Sequence, residues 1–554
     1  MTKIPHKIQI VPLGGLGELG KNMTAIRCGD DIVVIDAGLM FPEEEMYGID
    51  LVIPDISYLL EQRDLVRAII LTHGHADHIG ALPYIMKHLD VPVYGSRLTL
   101  ELAELGLKKH GIQSARLLPV KQGDQIVLGH FKAGFISVSH SIPDAMAISL
   151  KTPAGTVLHT GDFQFDQTPI GGKVTNYHRL AELGDRGVLV MLADSANAER
   201  VGYNSSAQQT GQILDEAFRA AQARIITTAY SSNINRIQQI LDTACKYGRR
   251  VAAWGDSGKD IMAVASEFGY LEIPQNILID VNDIANYPGT NVVILLLENH
   301  GEPWSVLTKV AAGEQRKLAV MAGDTIVIPA ASVPGTEKLF SRIVDQLLRQ
   351  GAEVITEARS SADVSGHASQ EELKFMHNLI RPKFFIPIHG EYRQLVKHSR
   401  LAQDLGMAKE NIFVADNGTV LELSREKALI VGKVAAGNIL VDGLGVGDVG
   451  NIVLRDRRQL SQDGILILIV TLDKECGAIL AGPDIVSRGF VYIRESEQLI
   501  EDARERVKQA LDRCVDDGLT EWSDLKSIIR DTLGKYLYEK TRRRPMILPI
   551  IMEV

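Results

Sequence analysis

The sequence has little cysteine, no long apolar run and no surplus of basic residues. Its four cysteines stand apart from one another and form no Cys-x-x-Cys pair: Cys28, Cys245, Cys476 and Cys514. This spacing argues against a disulfide framework and against a zinc ribbon. No stretch is apolar over the roughly 20 residues that cross a membrane, and Met1–His6 lacks the apolar core of a secretory leader. We therefore expect a cytoplasmic protein with reduced thiols and no membrane contact.

The charge balance does not indicate a broad basic surface. The chain carries 59 Lys and Arg against 69 Asp and Glu, a formal net charge of -10, whereas a nucleic-acid-binding domain usually shows a basic footprint. A nucleic-acid substrate would have to enter a local positive groove or be held by metal ions. The 554 residues, 45% of them hydrophobic, predict two to four globular domains.

The sequence pattern changes along the chain. Short apolar strands and turns dominate the beginning, and residues 209–356 alternate strands with helices, which predicts a compact α/β domain. The Gly- and Val-rich stretch Val434–Gly450 indicates an extended linker. Beyond it we expect a strand at Ile465–Leu472 and amphipathic helices at Glu497–Asp517 and Trp522–Glu539.

A glycine-rich segment near the start resembles a dinucleotide-binding loop only superficially. Gly15-Leu-Gly-Glu-Leu-Gly20 follows a strand, and Asp36 lies downstream. A dinucleotide fold requires a helix and a parallel crossover after the glycines. Here the segment Asn22–Cys28 reads as a strand, and a short turn connects it to the strand Asp31–Asp36. The pattern is therefore that of an antiparallel meander.

The segment His73-Gly-His75-Ala-Asp77-His78 concentrates ligands of divalent cations. An apolar strand precedes it and an amphipathic helix follows, and imidazole and carboxylate are the ligands that zinc and manganese favour. His73 and His75 share a side in extended backbone, whereas Asp77 and His78 are adjacent and diverge. A polar loop with incidental histidines is the alternative, but three histidines and a carboxylate within six residues favour metal binding.

Three later strands also end in metal-type residues followed by a turn. His140 follows the strand Phe131–Ser139, and Asp162 and His389 follow other apolar runs. Strands that end at one edge of a sheet would bring these residues together. Asp162 is suited to bridge two ions because its two oxygens can reach both. Each of these histidines alone would more often be a hydrogen-bonded core residue.

Together these motifs resemble the metallo-β-lactamase superfamily, and Asp194-Ser and Ser365-Gly-His-Ala-Ser369 resemble the motifs of its β-CASP branch. Over nearly its full length the chain is similar to the bacterial ribonuclease J family, as in His389-Gly-Glu-Tyr-Arg393 and Ser487-Arg-Gly-Phe-Val-Tyr492. The resemblance implies an αββα sandwich with an inserted α/β domain and a small α+β domain. We assign residues 1–208 and 357–425 to the sandwich, 209–356 to the β-CASP insertion, 426–447 to a linker and 448–554 to dimerisation.

The same resemblance divides the ligands between two zinc ions per subunit, with manganese as the alternative metal. It places one ion on His73, His75 and His140 and the other on Asp77, His78 and His389, with Asp162 between them. Asp77 could serve as a ligand alone or also as a base that orients the nucleophile.

The segment around His367 predicts an anion-binding helix start. Ser369 and Glu372 have the spacing of a capping box, and the free N–H groups at a helix start bind phosphate. His367 would then donate a proton to a phosphoryl oxygen or the leaving group, or simply close the loop through a hydrogen bond. In the family, the counterpart of Asp194 supports the metal ligands, and we expect a catalytic contribution from it.

The resemblance also implies two RNA-contacting segments: Ser232, Asn233 and Ile234, and Val364, Ser365, Gly366, His367 and Ala368. The first segment could equally cap the helix that starts near Asn235. Asn235 and Asp256 depart from the residues usual in active members, as does the run Glu298–Pro303, and they place the preference for 5′-phosphorylated ends in doubt. A structural calcium at Gly48, Asp50 and Asp442 is implied by some members, although ordinary turn chemistry explains both aspartates.

These observations predict a 5′-to-3′ exoribonuclease with endonuclease activity on single-stranded RNA, preferably 5′-monophosphorylated, in rRNA and mRNA maturation and decay. A homodimer or tetramer is expected, or a heteromer with a paralogue. Two alternatives are a thioester or lactam hydrolase and a weakly active paralogue that acts as a structural partner of an active ribonuclease. The long insertion and the loop around His367 argue against the first of these.

Overall fold

The computed structural model describes residues 6–171, 173–204, 206–298, 304–329, 336–356, 366–474, 478–491, 496–517, 519 and 521–554, apart from the side chains of 207–210 and 316. The chain forms two compact units. The first comprises Met1–Phe41 and Val52–Ile439, and the second comprises Pro42–Leu51 and Leu440–Val554. Among the described residues, no helix combines the length and apolarity needed to cross a bilayer.

Up to Asp194 the chain is mainly strands. The strands are β1 (Lys7–Gly14), β2 (Leu16–Gly17), β3 (Met23–Cys28), β4 (Asp31–Ile35), β5 (Leu51–Pro54), β6 (Val66–Ile70), β7 (Val93–Gly95), β8 (Leu117–Pro119), β9 (Gln125–Leu128), β10 (Phe131–Ser137), β11 (Met146–Lys151), β12 (Thr156–His159) and β13 (Val190–Asp194). The helices are α1 (Ser57–Glu61), α2 (Ala76–Ile79), α3 (Leu82–Ile85), α4 (Arg97–Lys109) and α5 (Tyr177–Arg186).

Strands and helices then alternate through the insertion. Its elements are α6 (Ala207–Ala220), β14 (Ile225–Tyr230), α7 (Ile234–Lys246), β15 (Arg250–Trp254), α8 (Asp256–Glu267), β16 (Val292–Glu298), α9 (Ser305–Ala311), β17 (Thr325–Ile328), α10 (Glu337–Arg349) and β18 (Glu353–Thr356). The chain returns through α11 (Gln370–Ile380), β19 (Phe384–Ile388), β20 (Gly390–Glu391), α12 (Tyr392–Asp404), β21 (Thr419–Ser424) and β22 (Ala428–Lys433).

The remaining elements are β23 (Asn438–Asp442), β24 (Gly445–Val446), α13 (Asn451–Asp463), β25 (Ile465–Leu472), β26 (Ile479–Arg488), α14 (Glu497–Asp516), α15 (Trp522–Thr541) and β27 (Met546–Glu553).

Two sheets stack face to face in the first unit. Within the described ranges, one sheet has the strand order β22-β21-β1-β3-β4-β6-β7-β8 and the other β19-β13-β12-β11-β10-β9. Their inner faces share one apolar core, with Ile10 and Val33 from one sheet against Phe135 and Leu192 from the other. Helices α5, α11 and α12 cover the second sheet, and α4 contacts β7 and β8 of the first. The predicted αββα sandwich is therefore confirmed, as is the antiparallel meander β1-β3-β4.

The insertion is a parallel sheet of its own. Its strands lie in the order β15-β16-β14-β17-β18, and every described pair is parallel. Strand β16 reads Val-Val-Ile-Leu-Leu-Leu-Glu and is buried throughout, as expected for a strand with helices on both faces. The helices and sheet enclose a separate core around Ile294 and Trp304.

The second unit confirms the strand and both helices that were predicted beyond the linker. Strand β25 pairs with β26 and β27, and α14 and α15 pack on one face of this sheet around Leu468 and Ile529. The predicted linker, residues 426–447, was wrong in part. Its residues include β22, which pairs with β21 although Leu429, Ile430 and Val431 are exposed, because backbone pairing alone can extend a sheet edge.

Two histidines lie buried together behind the second sheet. His377 of α11 and His398 of α12 approach within 3.3 Å through their Nε2 atoms, and both rings contact Phe385. The other ring nitrogen of His398 lies 2.9 Å from Ser195 Oγ. Burial lowers the pKa of His377 to about 4 and holds the pKa of His398 well below its usual value.

This pair predicts a loss of stability in mild acid. In the unfolded chain a histidine takes up a proton near pH 6.5, whereas folded His377 does so only near pH 4. Protons therefore favour the unfolded chain as the pH falls from about 6.5 to 4. We expect the H377Q variant to lose about 2 kcal/mol less unfolding free energy than the wild type between pH 7 and pH 5. Urea titrations in EDTA measure the difference, and H178Q, which removes an exposed histidine of α5, is the control.

Candidate metal centre

Parallel pairing in the second sheet explains why distant residues meet. Strands β12, β13 and β19 are parallel neighbours, so their carboxyl ends lie at one edge. Asp162, Asp194 and His389 each lie at or just beyond those ends. In the first sheet β4 and β6 are also parallel, which places Asp36 beside the segment that carries the other histidines.

The first group of ligands consists of His73, His75, His140 and Asp162, all buried. His75 Nδ1 lies 3.1 Å from the Nε2 atoms of both His73 and His140. Asp162 Oδ2 lies 3.6 Å from His73 Nε2 and 3.9 Å from His140 Nε2. Four candidate ligand atoms therefore converge on one point, and the binding of the first ion by them stays a prediction.

The second group consists of Asp77, His78, His389 and the same Asp162. His78 Nε2 lies 3.2 Å from Asp162 Oδ2 and 3.5 Å from Asp77 Oδ2. His389 lies 2.8 Å from Asp162 Oδ1 through Nδ1 and 3.6 Å from Asp77 Oδ2 through Nε2. Asp162 belongs to both groups, which is the arrangement expected of a bridging ligand.

The donors fit a pair of divalent cations. Within each group the ligand atoms lie within 4.8 Å of one another. A tetrahedral zinc ion with bonds of about 2.0 to 2.1 Å separates neighbouring nitrogens by roughly 3.3 Å, close to the 3.1 Å spacing of the first group. Asp162 Oδ2 is buried and accepts no hydrogen bond among the described residues, so an ion would supply its missing partner.

Hydrogen bonds orient the rings so that the other nitrogen faces the centre. His140 Nδ1 donates to the carbonyl of Gly366 at 2.7 Å, and His78 Nδ1 donates to Asp36 Oδ2 at 2.8 Å. Such acceptors fix the tautomer of metal-binding histidines. Gly366 has φ +82, and a Cβ there would lie 3.1 Å from the His140 ring, so glycine permits this close approach.

The pKa values of the histidines differ between the two ligand groups. Burial lowers the pKa of His140 to about 4 and that of His73 well below its usual value, which keeps both rings neutral, as cation ligands must be. Burial opposes charge on His78 and His389 as well, but Asp162 outweighs it and raises the pKa of both. In the metal-free chain their protons supply the positive charge that the buried carboxylate requires.

His367 and Asp194 form a pair beside the second group. His367 Nδ1 lies 2.8 Å from Asp194 Oδ2. Burial disfavours the charged ring, but the Asp194 carboxylate and its hydrogen bond prevail and raise the pKa of His367 to about 9. The Asp194 carboxylate therefore favours the charged form of the His367 ring and holds it by a hydrogen bond, and the catalytic roles of both residues stay predictions.

Polar side chains behind the loop hold His367 in place. The predicted capping box of Ser369 and Glu372 is present. Glu372 also accepts hydrogen bonds from the N–H groups of Phe165 and Asn204. The Asn204 side chain donates to the carbonyl of His367. The loop is thus tied to the segment that follows Asp162.

The predicted RNA-contacting residues have different surroundings. Ser232 Oγ is buried, accepts and donates no hydrogen bond in the described part, and lines a cavity. Asn233 caps α7 by accepting from the N–H of Arg236 at 3.0 Å, so the capping alternative is confirmed. The side chain of Ile234 is buried and its N–H donates to Ser232, which gives it a packing role. Ala368 is buried in the core, and Val364 and Ser365 lie outside the described residues. Contacts of these residues with RNA stay predictions.

The departures from the family pattern lie on the inserted domain. Asn235 lines a polar pocket with His140 and Arg236. Asp256 is exposed in the first turn of α8, where a carboxylate stabilises a helix. Glu298 is buried and accepts hydrogen bonds from the N–H groups of Val306 and Leu307 at the start of α9. Residues 299–303 lie outside the described ranges.

The oxygens proposed for calcium already contact a cation of the chain. In the second unit, the Arg457 guanidinium pairs with the Asp442 carboxylate and donates to the carbonyl of Gly48. Asp50 accepts a hydrogen bond from the N–H of Gly443 at 2.7 Å, as in an ordinary turn. A calcium ion at this place stays a prediction, and the observed contacts favour the turn alternative.

Sequence reasoning missed Asp36 as a functional residue. Its carboxylate accepts from His78 Nδ1, from the N–H of Thr72 at 2.7 Å and from Thr72 Oγ1 at 2.9 Å. An aspartate directly after a buried strand and before Ala-Gly was the available signal. Its partner on the parallel strand, however, is distant in sequence.

Four family models match successive parts of the chain. They are described as Metallo-beta-lactamase superfamily (residues 16–227), Ribonuclease J, beta-CASP domain (222–347), Zn-dependent metallo-hydrolase RNA specificity domain (351–415) and Ribonuclease J C-terminal domain (452–554). Over 554 residues the chain is 47% identical to Ribonuclease J2 of Bacillus subtilis (strain 168), with both chains covered completely. The chain belongs to the ribonuclease J family.

Other similarities agree with this membership. The chain is 40% identical over 548 residues to Ribonuclease J 2 of Staphylococcus aureus (strain NCTC 8325 / PS 47), covering 99% of this chain and 98% of that relative. A solved structure described as a protein of unknown function from Enterococcus faecalis V583 is 17% identical, with a TM-score of 0.52 over 75% of this chain and 100% of that chain. This last likeness concerns the fold alone.

The contacts of Asp36 provide a first test of the metal centre. We expect the D36A variant to bind the zinc ion assigned to Asp77, His78 and His389 about 10- to 100-fold more weakly. Without Asp36 the His78 ring is no longer oriented, and the loss of such an orienting partner weakens metal binding by this order. Competition with a fluorescent chelator measures both ions separately. D30A, in the exposed turn between β3 and β4, should bind both ions as the wild type does. Unchanged affinities in D36A would contradict the role of Asp36.

Proposed function

We propose that the chain is a two-metal ribonuclease with 5′-to-3′ exonuclease and endonuclease activity on single-stranded RNA. Membership of a family of metal-dependent RNA hydrolases supports the reaction class. The observation that carries the proposal is the convergence of two ligand groups on Asp162, beside the hydrogen-bonded pair of His367 and Asp194. Roles in rRNA and mRNA maturation, and a cytoplasmic location, stay predictions.

The two groups of ligands would hold zinc, or manganese as the alternative. Bound divalent ions lower the pKa of a water molecule and neutralise charge on a phosphate. Phosphodiester hydrolysis also requires groups that move protons at defined atoms. Among the described residues around the centre, Asp77 and His367 are the members of the site with partly exposed side chains, 29% and 21% respectively.

Each of these two side chains suits one half of the reaction. The Asp77 carboxylate can accept a proton from the attacking water as the new oxygen–phosphorus bond forms. His367, whose pKa is raised to about 9, can give a proton to the departing 3′ oxygen as the old bond breaks. Asp194 keeps His367 oriented through its 2.8 Å hydrogen bond. The attacking water therefore loses one proton to Asp77, and the departing 3′ oxygen gains one from His367.

Two cavities beside the centre suit the 5′ end of RNA. One of about 390 Å³ lies between α2, α4 and the carboxyl edge of the inserted sheet. It is lined by apolar side chains such as Leu102 and Ile261 and by the hydroxyl of Ser232, which is the mixture that binds a nucleobase. A smaller polar pocket, of about 20 Å³, lies beside His140 and contains Asn233, Arg236 and the Asp166 carboxylate, and a 5′-phosphate would have to open it to reach Arg236.

The proposal predicts metal-dependent decay of 5′-monophosphorylated single-stranded RNA. The wild type should bind two ions per chain, and removing them with EDTA should abolish hydrolysis. H367A should lower kcat by about 100-fold or more while it keeps two ions, because His367 lies outside both predicted ligand sets. Denaturing gels of end-labelled RNA and metal analysis measure the two quantities.

An exposed histidine of α5 supplies the control, and H178A should behave as the wild type. Turnover of thioesters or lactams without any cleavage of RNA would sink the proposal. Equal kcat values in H367A and the wild type would remove His367 from the mechanism.

A second candidate function is a structural role beside a more active paralogue. Asn235 and Asp256 motivate it, because each replaces the residue usual in active members. The exposed position of Asp256 at a helix start gives that residue a structural explanation. Activity of the purified chain without a paralogue, at a level unchanged when the paralogue is added, would exclude this candidate.

The second unit exposes an apolar face suited to a second copy of the chain. Helices α14 and α15 cover one face of its sheet, whereas Leu548, Ile550 and Met552 on the other face are 42%, 39% and 46% exposed. Strand pairing sets Ile467 beside Leu548 and Ile469 beside Ile550. A continuous apolar face of this kind usually marks an interface, and we propose that it forms the homodimer.

This assignment predicts monomers when the face is made acidic. We expect the double variant L548E/I550E to sediment as a monomer, because two buried and unpaired carboxylates oppose association. D512A, on the exposed side of α14, should keep the oligomeric state of the wild type. Sedimentation velocity measures the mass, and a double variant that keeps the wild-type mass would refute the interface.

A further inference from the structure

The glycine-rich loop that resembles a nucleotide-binding motif lies against the metal centre instead. Strand β2, inside this loop, pairs with β20 directly after His389. The loop ends at Lys21, which is 1% exposed, and its ammonium group contacts Glu18 and Asn438. The next residue, Asn22, is buried and reaches the segment that carries Asp77.

Asn22 is fixed on its backbone by the neighbours of the centre. Its N–H donates to the carbonyl of Asp77 at 3.1 Å, and its own carbonyl accepts from the N–H of Gly38 at 3.0 Å. A Cβ on Gly38 would lie 1.6 Å from the carbonyl oxygen of Asp77, so these three segments are packed as closely as backbone allows.

The side-chain amide of Asn22 contacts both the backbone carbonyl and the side-chain carboxylate of Asp77. Its Nδ2 lies 3.1 Å from the carbonyl oxygen of Asp77, 3.3 Å from Asp77 Oδ2 and 3.0 Å from His78 Nε2. A single donor that bridges the carbonyl and the carboxylate of Asp77 restricts the rotation of that side chain. The amide also borders the ring nitrogen of the adjacent ligand.

Asp77 needs such a restraint more than the other ligands do. Its side chain is 29% exposed, whereas those of His78 and Asp162 are 2% exposed. The buried ligands are held by packing, but a partly exposed carboxylate keeps rotamers that point away from an ion. Ordering it in advance removes part of the entropic cost of binding.

We infer that Asn22 is a positioning residue that fixes the Asp77 carboxylate for the ion held by Asp77, His78 and His389. The inference rests on the proposed two-metal site and assigns a task to the glycine-rich loop, which brings Asn22 to that carboxylate. Asn22 acts through Asp77 and is not itself a ligand.

The test compares the affinities of the two ions in the full chain. Metal-free wild type, N22A and N22S are titrated with zinc against a fluorescent chelator, and bound metal is counted by mass spectrometry. We expect the wild type to bind two ions. In both variants one ion, assigned to Asp77, His78 and His389, should lose about 10- to 100-fold in affinity, with the affinity of the other ion unchanged. Circular dichroism in EDTA checks that each variant is folded, and N22S retains a small polar side chain if alanine destabilises the loop.

A matched variant on the other side of the same loop separates positioning from loop integrity. Asn417 accepts a hydrogen bond from the N–H of Leu16 at 3.1 Å and donates to Glu18 at 2.8 Å, and neither of these hydrogen bonds involves Asp77. N417A should therefore bind both ions as the wild type does.

Three results would overturn the inference. One is wild-type affinity for both ions in N22A, and another is an equal loss for both ions. The third is the same selective loss in N417A. A wild-type chain that binds fewer than two ions overturns the proposed metal site together with the inference, whereas the other results leave that site intact.

Discussion

A single buried carboxylate imposes the main constraint on this structure. Asp162 lies within 4 Å of ring nitrogens from five histidines, and one of its oxygens accepts no hydrogen bond in the described part of the chain. A carboxylate taken out of water is costly unless opposite charge compensates it. The surrounding rings, their orienting hydrogen bonds and the two proposed ions all answer that requirement. The arrangement of the strands and loops brings those rings to one point.

Parallel pairing of the strands brings the ligating side chains to one edge of the sheet. Because β12, β13 and β19 run side by side in one direction, three turns that are far apart in sequence open at the same edge. Antiparallel neighbours would have sent alternate turns to opposite edges. The first sheet adds its share in the same way, since β4 and β6 are parallel and bring Asp36 to His78.

The sequence predicted the candidate metal ligands more completely than the residues that orient them. His73, His75, Asp77 and His78 form a local pattern, and the strand-ending positions of His140, Asp162 and His389 could be read directly. Their division between two ions needed the family resemblance, because spacing does not state which strands are neighbours. Asp36 and Asn22 were not recognised as parts of the centre, since their roles depend on contacts across about 36 and 55 residues that no local pattern encodes.

The same reason explains the other differences. The linker contains β22 because exposed Ile and Val residues can pair through their backbones alone. The turn at Gly48 that was suggested for calcium contacts Arg457, which lies more than 400 residues away in the sequence. Ile234 and Asn233 serve the start of α7, a local task that the capping pattern had already predicted. Where an interaction is local, the sequence predicts it, and where it joins distant segments, topology decides.

Both connections between the inserted domain and the sandwich lie beside the His367–Asp194 pair. It leaves after Asp194, at the end of β13, and the chain comes back through His367 before α11. The two junctions are thus clasped to each other by the 2.8 Å contact between those side chains. A change in the position of either junction would therefore alter the hydrogen bond that orients the His367 ring.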